Sequence, residues 1–205
     1  MTDLFSFQSG PEQIRLPGAD VMYWPNLGLA SDPEHYLHRL LSETPWRQES
    51  VRVWGKVHQQ PRLIAWYGDP QSNYSYSGIK LSPLSWSELI LEIRSVVEDM
   101  AGEVFNSVLL NYYRDGNDSM GFHSDDEKEL GARPTIASVS LGAERALAFK
   151  SKVDESAKIA KVPLASGSLL LMKGETQRLY KHGIAKERGN IGPRVNLTFR
   201  RIGLS

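Results

Sequence analysis

The chain contains no cysteine. That absence excludes disulfides, thiolate zinc sites, iron–sulfur clusters and cysteine nucleophiles, so any metal must be held by histidine and carboxylate. Nor is there an excess of charge: 24 Lys and Arg stand against 24 Asp and Glu. A neutral balance excludes a histone-like polycation but leaves room for a local basic groove. No stretch approaches 18 consecutive apolar residues, so no transmembrane helix is expected. The N-terminal MTDLFSFQSGPEQ lacks the basic and apolar regions of a signal peptide. These absences lead us to expect a soluble, cytoplasmic monomer with no membrane partner, nuclear if the source is eukaryotic. Repeats, low-complexity tracts and Pro/Gly/Ser-rich linkers are also missing, so residues 1–205 are expected to form one domain. The 205 residues, 40% of them hydrophobic, suffice for a single core.

Two helices are legible. Asp32-Pro33 offers a cap followed by proline at the first helical position, and Thr44-Pro45 stops the helix after about Ser42. Ser85 and Glu88 form an S-x-x-E capping box, after which Leu89, Ile93, Val96, Val97 and Met100 recur at helical spacing as far as Gly102. Beyond Gly102 the period changes to two. Segments near 105–113, 135–141, 145–150, 168–172 and 194–200 read as short strands. Val51 to Tyr76 is also extended and aromatic in character. Helices followed by many short strands predict a sheet sandwich or jelly roll buttressed by helices on one side.

Among five histidines, His123-Ser124-Asp125 stands out. In an extended segment, residues i and i+2 share a side, so an imidazole and a carboxylate can meet one ion. His182, far downstream, is available as a third ligand from another strand. Two histidines and one carboxylate make the facial set of non-haem Fe(II) oxygenases. The segment RVNLTFR alternates completely. Val195, Leu197 and Phe199 point one way, and Arg194, Asn196, Thr198 and Arg200 the other. A half-exposed strand is the ordinary reading. The alternative is that both arginines lean inward and grip a dicarboxylate at its two ends. Asn111 and Tyr113 likewise share a face, offering an amide and a phenol.

The string N-x-Y…H-x-D…H…R-x-N-x-T-x-R resembles the AlkB family of 2-oxoglutarate- and Fe(II)-dependent dioxygenases. The likeness covers about Val51 to Arg200, with little of it in the first fifty residues. It implies an α+β fold, a double-stranded β-helix with N-terminal helices packed on one sheet and a jelly-roll core over about 105–200. It implies Fe(II) on His123, Asp125 and His182. It also implies 2-oxoglutarate on Asn111, Tyr113, Arg194, Thr198 and Arg200, with Asn196 in support, and O2 as oxidant. The implied reaction oxidises an N-methyl group, which leaves as formaldehyde while 2-oxoglutarate becomes succinate and CO2. No further side chain is needed as acid, base or nucleophile.

A base is oxidised only after leaving the stack. PRLIAWYG…YSYSG resembles the family's nucleotide-recognition lid, here about 51–80, which makes Tyr74 and Tyr76 candidate base contacts. Asp126, with Glu127 second, follows the H-x-D and in the family's HxDDE form helps read the base edge. Trp54 resembles the tip of a finger that fills the space of an extruded base. Lys150, Lys152, Lys158, Lys161, Lys186, Arg188 and Arg201 are candidates for a phosphate-binding rim. The expected partner is alkylated DNA carrying 1-methyladenine or 3-methylcytosine, with RNA as a further candidate. Two other readings compete: an oxygenase of protein or lipid, and a non-catalytic nucleic-acid-binding module on the same fold.

Overall fold

The computed structural model describes residues 10–53, 56–70, 74–76, 79–81 and 83–203. Chain order begins with β1 (Glu12–Gln13), β2 (Asp20–Trp24) and helix α1 (Pro33–Glu43), then β3 (Ser50–Val53), β4 (Lys56–Gln59) and β5 (Leu63–Gly68). β6 (Tyr74–Tyr76), β7 (Ile79–Leu81) and helix α2 (Glu88–Ala101) follow. The remainder is β8 (Ser107–Tyr113), β9 (Met120–His123), β10 (Ile136–Gly142), β11 (Arg145–Ser151), β12 (Ala160–Leu164), β13 (Ser168–Lys173), the short helix α3 (Thr176–Leu179), β14 (Tyr180–Ile184) and β15 (Arg194–Arg200).

The last eight strands divide four and four between two antiparallel sheets. One takes the order β13-β10-β15-β8 and the other β12-β11-β14-β9, which is the jelly-roll winding. β1 and β2 extend the larger sheet beyond β13, and β5 extends it beyond β8, to seven strands. β3–β4 and β6–β7 are separate two-stranded ribbons.

Period-two alternation on the larger sheet separates two cores. Val108, Leu110, Ala137, Val139, Leu169, Leu171, Val195, Leu197 and Phe199 meet Tyr36, Leu37, Leu40, Ile90, Ile93 and Val97 of the two helices. The opposite face, including Leu109, Tyr113, Ile136, Leu170 and Met172, meets Leu147, Phe149, Val162, Leu164 and Ile184 of the smaller sheet. All seven residues of β15 are buried. The polar side of RVNLTFR is therefore turned into the roll, and the half-exposed strand is ruled out.

Helix α1 starts as the sequence predicts, with the Asp32 carboxylate accepting from the Glu34 N–H. Helix α2 does not. Its N-cap is Ser87, whose Oγ accepts from the Ile90 N–H. Three residues earlier the chain is still held against β5, since the Leu84 N–H donates to the Trp66 carbonyl. Ser85 therefore precedes the helix and caps nothing. Gly102, at φ 65, closes α2 in the left-handed region as expected. The sequence reading also left out β1, β2, β9, β12 and β14, all short.

Candidate metal and co-substrate site

β9 and β14 pair antiparallel with His123 opposite His182 and a register shift before Ile184. The approach depends on Gly183. A Cβ there would lie 2.8 Å from the Met120 carbonyl oxygen and 3.2 Å from Gly121. With no side chain in the way, the two imidazoles come to 4.4 Å between ring centroids. His123 Nδ1 lies 3.0 Å from the Gly121 carbonyl oxygen. A carbonyl only accepts, so Nδ1 carries the proton and Nε2 offers its lone pair to a metal.

Asp125 lies beyond the end of β9, not within an extended strand as the H-x-D spacing suggests. Its position is held from outside. The Gln177 Oε1 accepts from the Asp125 N–H at 3.0 Å, and the Ser124 hydroxyl donates to the Tyr180 carbonyl at 3.0 Å. Lys152 Nζ reaches Ser124 Oγ, Asp126 Oδ2 and the Gln177 carbonyl. The potential ligand atoms of His123, Asp125 and His182 all lie within 4.8 Å of one another.

The Asp125 carboxylate is buried. Oδ1 accepts from Arg200 Nη2 at 2.6 Å, while Oδ2 has no hydrogen-bond partner and lies 3.7 Å from His182 Nε2. Burial alone would raise its pKa, but Arg200 and then the two histidines outweigh that and hold it at about 2. Burial, with His123 beside it, pushes His182 down to about 3. A neutral imidazole next to a buried, half-satisfied carboxylate is a donor set ready for a divalent cation. The residues fit the metal.

Beside the three donors is a small pocket. Tyr113, Ser138, Arg194, Asn196, Thr198 and Arg200 supply its polar lining. Arg194 is fully buried. Its Nη2 donates to Ser140 Oγ at 2.9 Å and its Cζ lies 5.2 Å from the Tyr113 ring centroid, but Nε and Nη1 have no partner. Burial depresses its pKa from the usual range. An unpaired buried guanidinium fits an anion, and a carboxylate matches its fork. Asn196 donates to Ser138 Oγ and the Val139 carbonyl and accepts from Thr198 Oγ1, which suits support more than direct contact. Asn111 is buried against Arg62, whose Nε donates to its Oδ1 at 2.7 Å, and it does not line the pocket.

The substrate-side residues are distributed differently. Asp126 is exposed and paired with Lys152 at 3.0 Å. Glu127 is half-buried, with Oε2 shielded from solvent and unpartnered. Neither lines the pocket. Tyr74 and Tyr76 lie on β6, opposite Leu81 and Ile79. Their side chains, and Trp54 altogether, lie outside the described residues. Lys150, Lys158, Lys161, Lys186, Arg188 and Arg201 are all at the surface.

Sequence reasoning missed Arg62, Gln177 and Ser138. Arg62 lies inside PRLIAWYG, where the aromatics drew the reading, and Gln177 has no motif around it. Only Ser138, on the polar side of the alternating IASVSLG strand, carried a signal that could have found it.

A jelly roll presenting two histidines and an aspartate beside a cationic pocket defines the class of non-haem Fe(II) oxygenases that use a keto acid. The family model of the 2OG-Fe(II) oxygenase superfamily matches residues 20–200, and the chain belongs to that superfamily. Fe(II), 2-oxoglutarate and O2 are accordingly its metal, co-substrate and oxidant, and it is a dioxygenase. The match begins at Asp20, the first residue of β2, earlier than the sequence likeness suggested. The chain is 39% identical over 208 residues to the DNA oxidative demethylase ALKBH2 of Homo sapiens, covering 96% of this chain and 79% of that one. It is 37% identical over 190 residues to the alpha-ketoglutarate-dependent dioxygenase alkB homolog 3 of Homo sapiens, covering 89% and 66%. The solved structure of OsALKBH1 shares the fold, with a TM-score of 0.66 at 19% identity over 92% of this chain and all of that one. Among the described residues no helix is long and apolar enough to cross a membrane.

Proposed function

We propose that the chain is an oxidative demethylase of N-alkylated bases in DNA, with 1-methyladenine and 3-methylcytosine as substrates. The likeness to the human DNA oxidative demethylase over almost the whole chain carries this reading. His123, Asp125 and His182 would hold Fe(II). The bound metal, with 2-oxoglutarate and O2, supplies C–H hydroxylation coupled to decarboxylation of the keto acid to succinate and CO2. One oxygen atom enters succinate and the other the N-methyl carbon, which leaves as formaldehyde.

The chain itself binds and orients. Arg200, in contact with Asp125, serves the end of 2-oxoglutarate nearest the metal. Arg194, six residues along the strand, meets the far carboxylate with its two unpaired nitrogens. Tyr113 and Thr198 complete the lining, and Asn111 and Asn196 support them. Residues 51–80 form the nucleotide-recognition lid of this single domain. Tyr74 and Tyr76 stack the extruded base, Trp54 fills the gap it leaves, and Asp126 and Glu127 read its edge.

The test is 2-oxoglutarate turnover and formaldehyde release with a 1-methyladenine DNA oligonucleotide, the same oligonucleotide in RNA, an unmodified one, a peptide, and no prime substrate. Stimulation by methylated DNA with stoichiometric formaldehyde is the expected result. Stimulation by peptide alone would move the reading to a protein hydroxylase, and no turnover with any substrate would leave only a binding module.

A further inference from the structure

Arg145, the first residue of β11, is completely buried, yet it belongs to neither the metal set nor the pocket lining. Its guanidinium connects two loops. Nη1 donates to the Asp115 carbonyl at 3.3 Å and Nη2 to the Asp118 carbonyl at 3.1 Å, both between β8 and β9. Nη2 also donates to the Ala185 carbonyl at 2.5 Å, and Nε lies 3.3 Å from the Glu187 carboxylate, both between β14 and β15. Its Cζ sits 5.8 Å from the Tyr113 ring centroid, and Arg194 lies 5.2 Å from the same ring.

These loops adjoin strands that line the pocket. β8 ends at Tyr113, β15 begins at Arg194, and the two residues are paired opposite one another. The loops are also joined directly, the Glu187 N–H donating to the Gly116 carbonyl at 2.8 Å. A Cβ on Gly116 would fall 2.4 Å from the Glu187 carbonyl oxygen, so the join has no space for a side chain. Burying a cation without a fully buried acid beside it is costly; here three carbonyls take Nη1 and Nη2, while Nε has no hydrogen-bond partner and faces only the 36% exposed Glu187 carboxylate. A planar fork can bridge two loops where a point charge cannot.

We propose that Arg145 is the positioning residue of the 2-oxoglutarate site: by bridging the 114–119 and 185–193 loops it sets the spacing of Tyr113 and Arg194, and hence the affinity for the co-substrate's far carboxylate. This rests on the reading that Tyr113 and Arg194 bind 2-oxoglutarate.

The experiment measures 2-oxoglutarate binding calorimetrically to the Mn(II)-loaded protein without O2, Mn(II) binding alone, and amide exchange across both loops. Arg145→Met should weaken 2-oxoglutarate binding about tenfold or more, since the loops lose the charged hydrogen bonds that join them. Mn(II) affinity should stay within about twofold, and KM for 2-oxoglutarate should rise with kcat at saturation nearly unchanged. Arg145→Lys should recover part of the loss. Gly116→Ala keeps Arg145 but wedges the loops apart, so it should reproduce the weakened binding and faster exchange even if Arg145→Met fails to fold. Wild-type 2-oxoglutarate affinity in Arg145→Met or Gly116→Ala overturns the proposal, as does parallel loss of Mn(II) affinity. Arg194→Met separates the two readings: if it leaves 2-oxoglutarate binding intact, the co-substrate assignment itself has failed.

Discussion

Arg200 faces two ways, bonded to Asp125 at 2.6 Å and lining the pocket beside the metal donors. Arg200→Lys keeps the charge and loses the fork, so a calorimetric titration should show weaker 2-oxoglutarate binding; unchanged affinity would remove Arg200 from the site. Arg200→Met goes further, leaving a buried carboxylate without its cation. In metal-free protein that should cost about 3–5 kcal/mol of stability by urea denaturation. Asp125→Ala or His123→Ala should abolish Mn(II) binding and turnover with little change in circular dichroism, because these donors are tied to loops and strand ends and not to either core. Asp118 provides an acid-sensitive contact in addition to the buried Asp125. Burial raises its pKa, but two side-chain bonds and one backbone bond from Arg114 outweigh burial and leave it below the usual range. A carboxylate lowered in the folded state contributes stability above its unfolded value, about 3.9, and loses it as pH falls through the lower folded value. Asp118→Asn should therefore flatten the stability profile below about pH 3.9. An acid limb as steep as wild type would show that another group controls it.

At the scale of elements, alternation made β15 legible before any coordinates, because a strand that buries both faces still keeps period two. The same signal failed for β9 and β14. Each has four or five residues, one carries a register shift, and their pairing depends on Gly183 having no side chain. Asp125 shows why spacing alone was insufficient: Gln177, Ser124 and Lys152 hold it, and nothing in H-x-D announces them. The start of α2 differs from the Ser85 expectation because the bond from Leu84 to β5 holds the chain against the sheet until just before Ser87, which caps the helix instead. Ser87→Ala should cost about 0.5–2 kcal/mol and Ser85→Ala almost nothing; the reverse ranking in thermal melts would restore the capping box. Gly183→Ala should push β14 from β9 and lower Mn(II) affinity while the helical circular dichroism stays native. Retained affinity would mean that the histidines tolerate a wider register.

Across the whole molecule, the larger sheet divides structural from chemical duties. One face carries the helices on an apolar layer, and the other closes with the smaller sheet around the pocket and the metal donors. Of the proposed lid, residues 51–80, β5 joins the larger sheet and, among the described residues, β3–β4 and β6–β7 form separate ribbons. If the two faces are mechanically separate, equal insults on either side should have unequal consequences. Ile93 is fully buried on α2, against the outer face, whereas Leu147 lines the pocket from β11. Truncating either to alanine removes a large aliphatic group from a packed interior, at about 2–5 kcal/mol. Ile93→Ala should show that loss in urea denaturation with Mn(II) and 2-oxoglutarate affinities unchanged, because β15 still presents the same polar edge inward. Leu147→Ala should lose similar stability and also weaken 2-oxoglutarate binding several-fold, since the enlarged pocket no longer excludes water around Arg194. Equal shifts in co-substrate affinity from both variants would show that strain passes through the larger sheet, and that the helices help set the chemistry they do not touch.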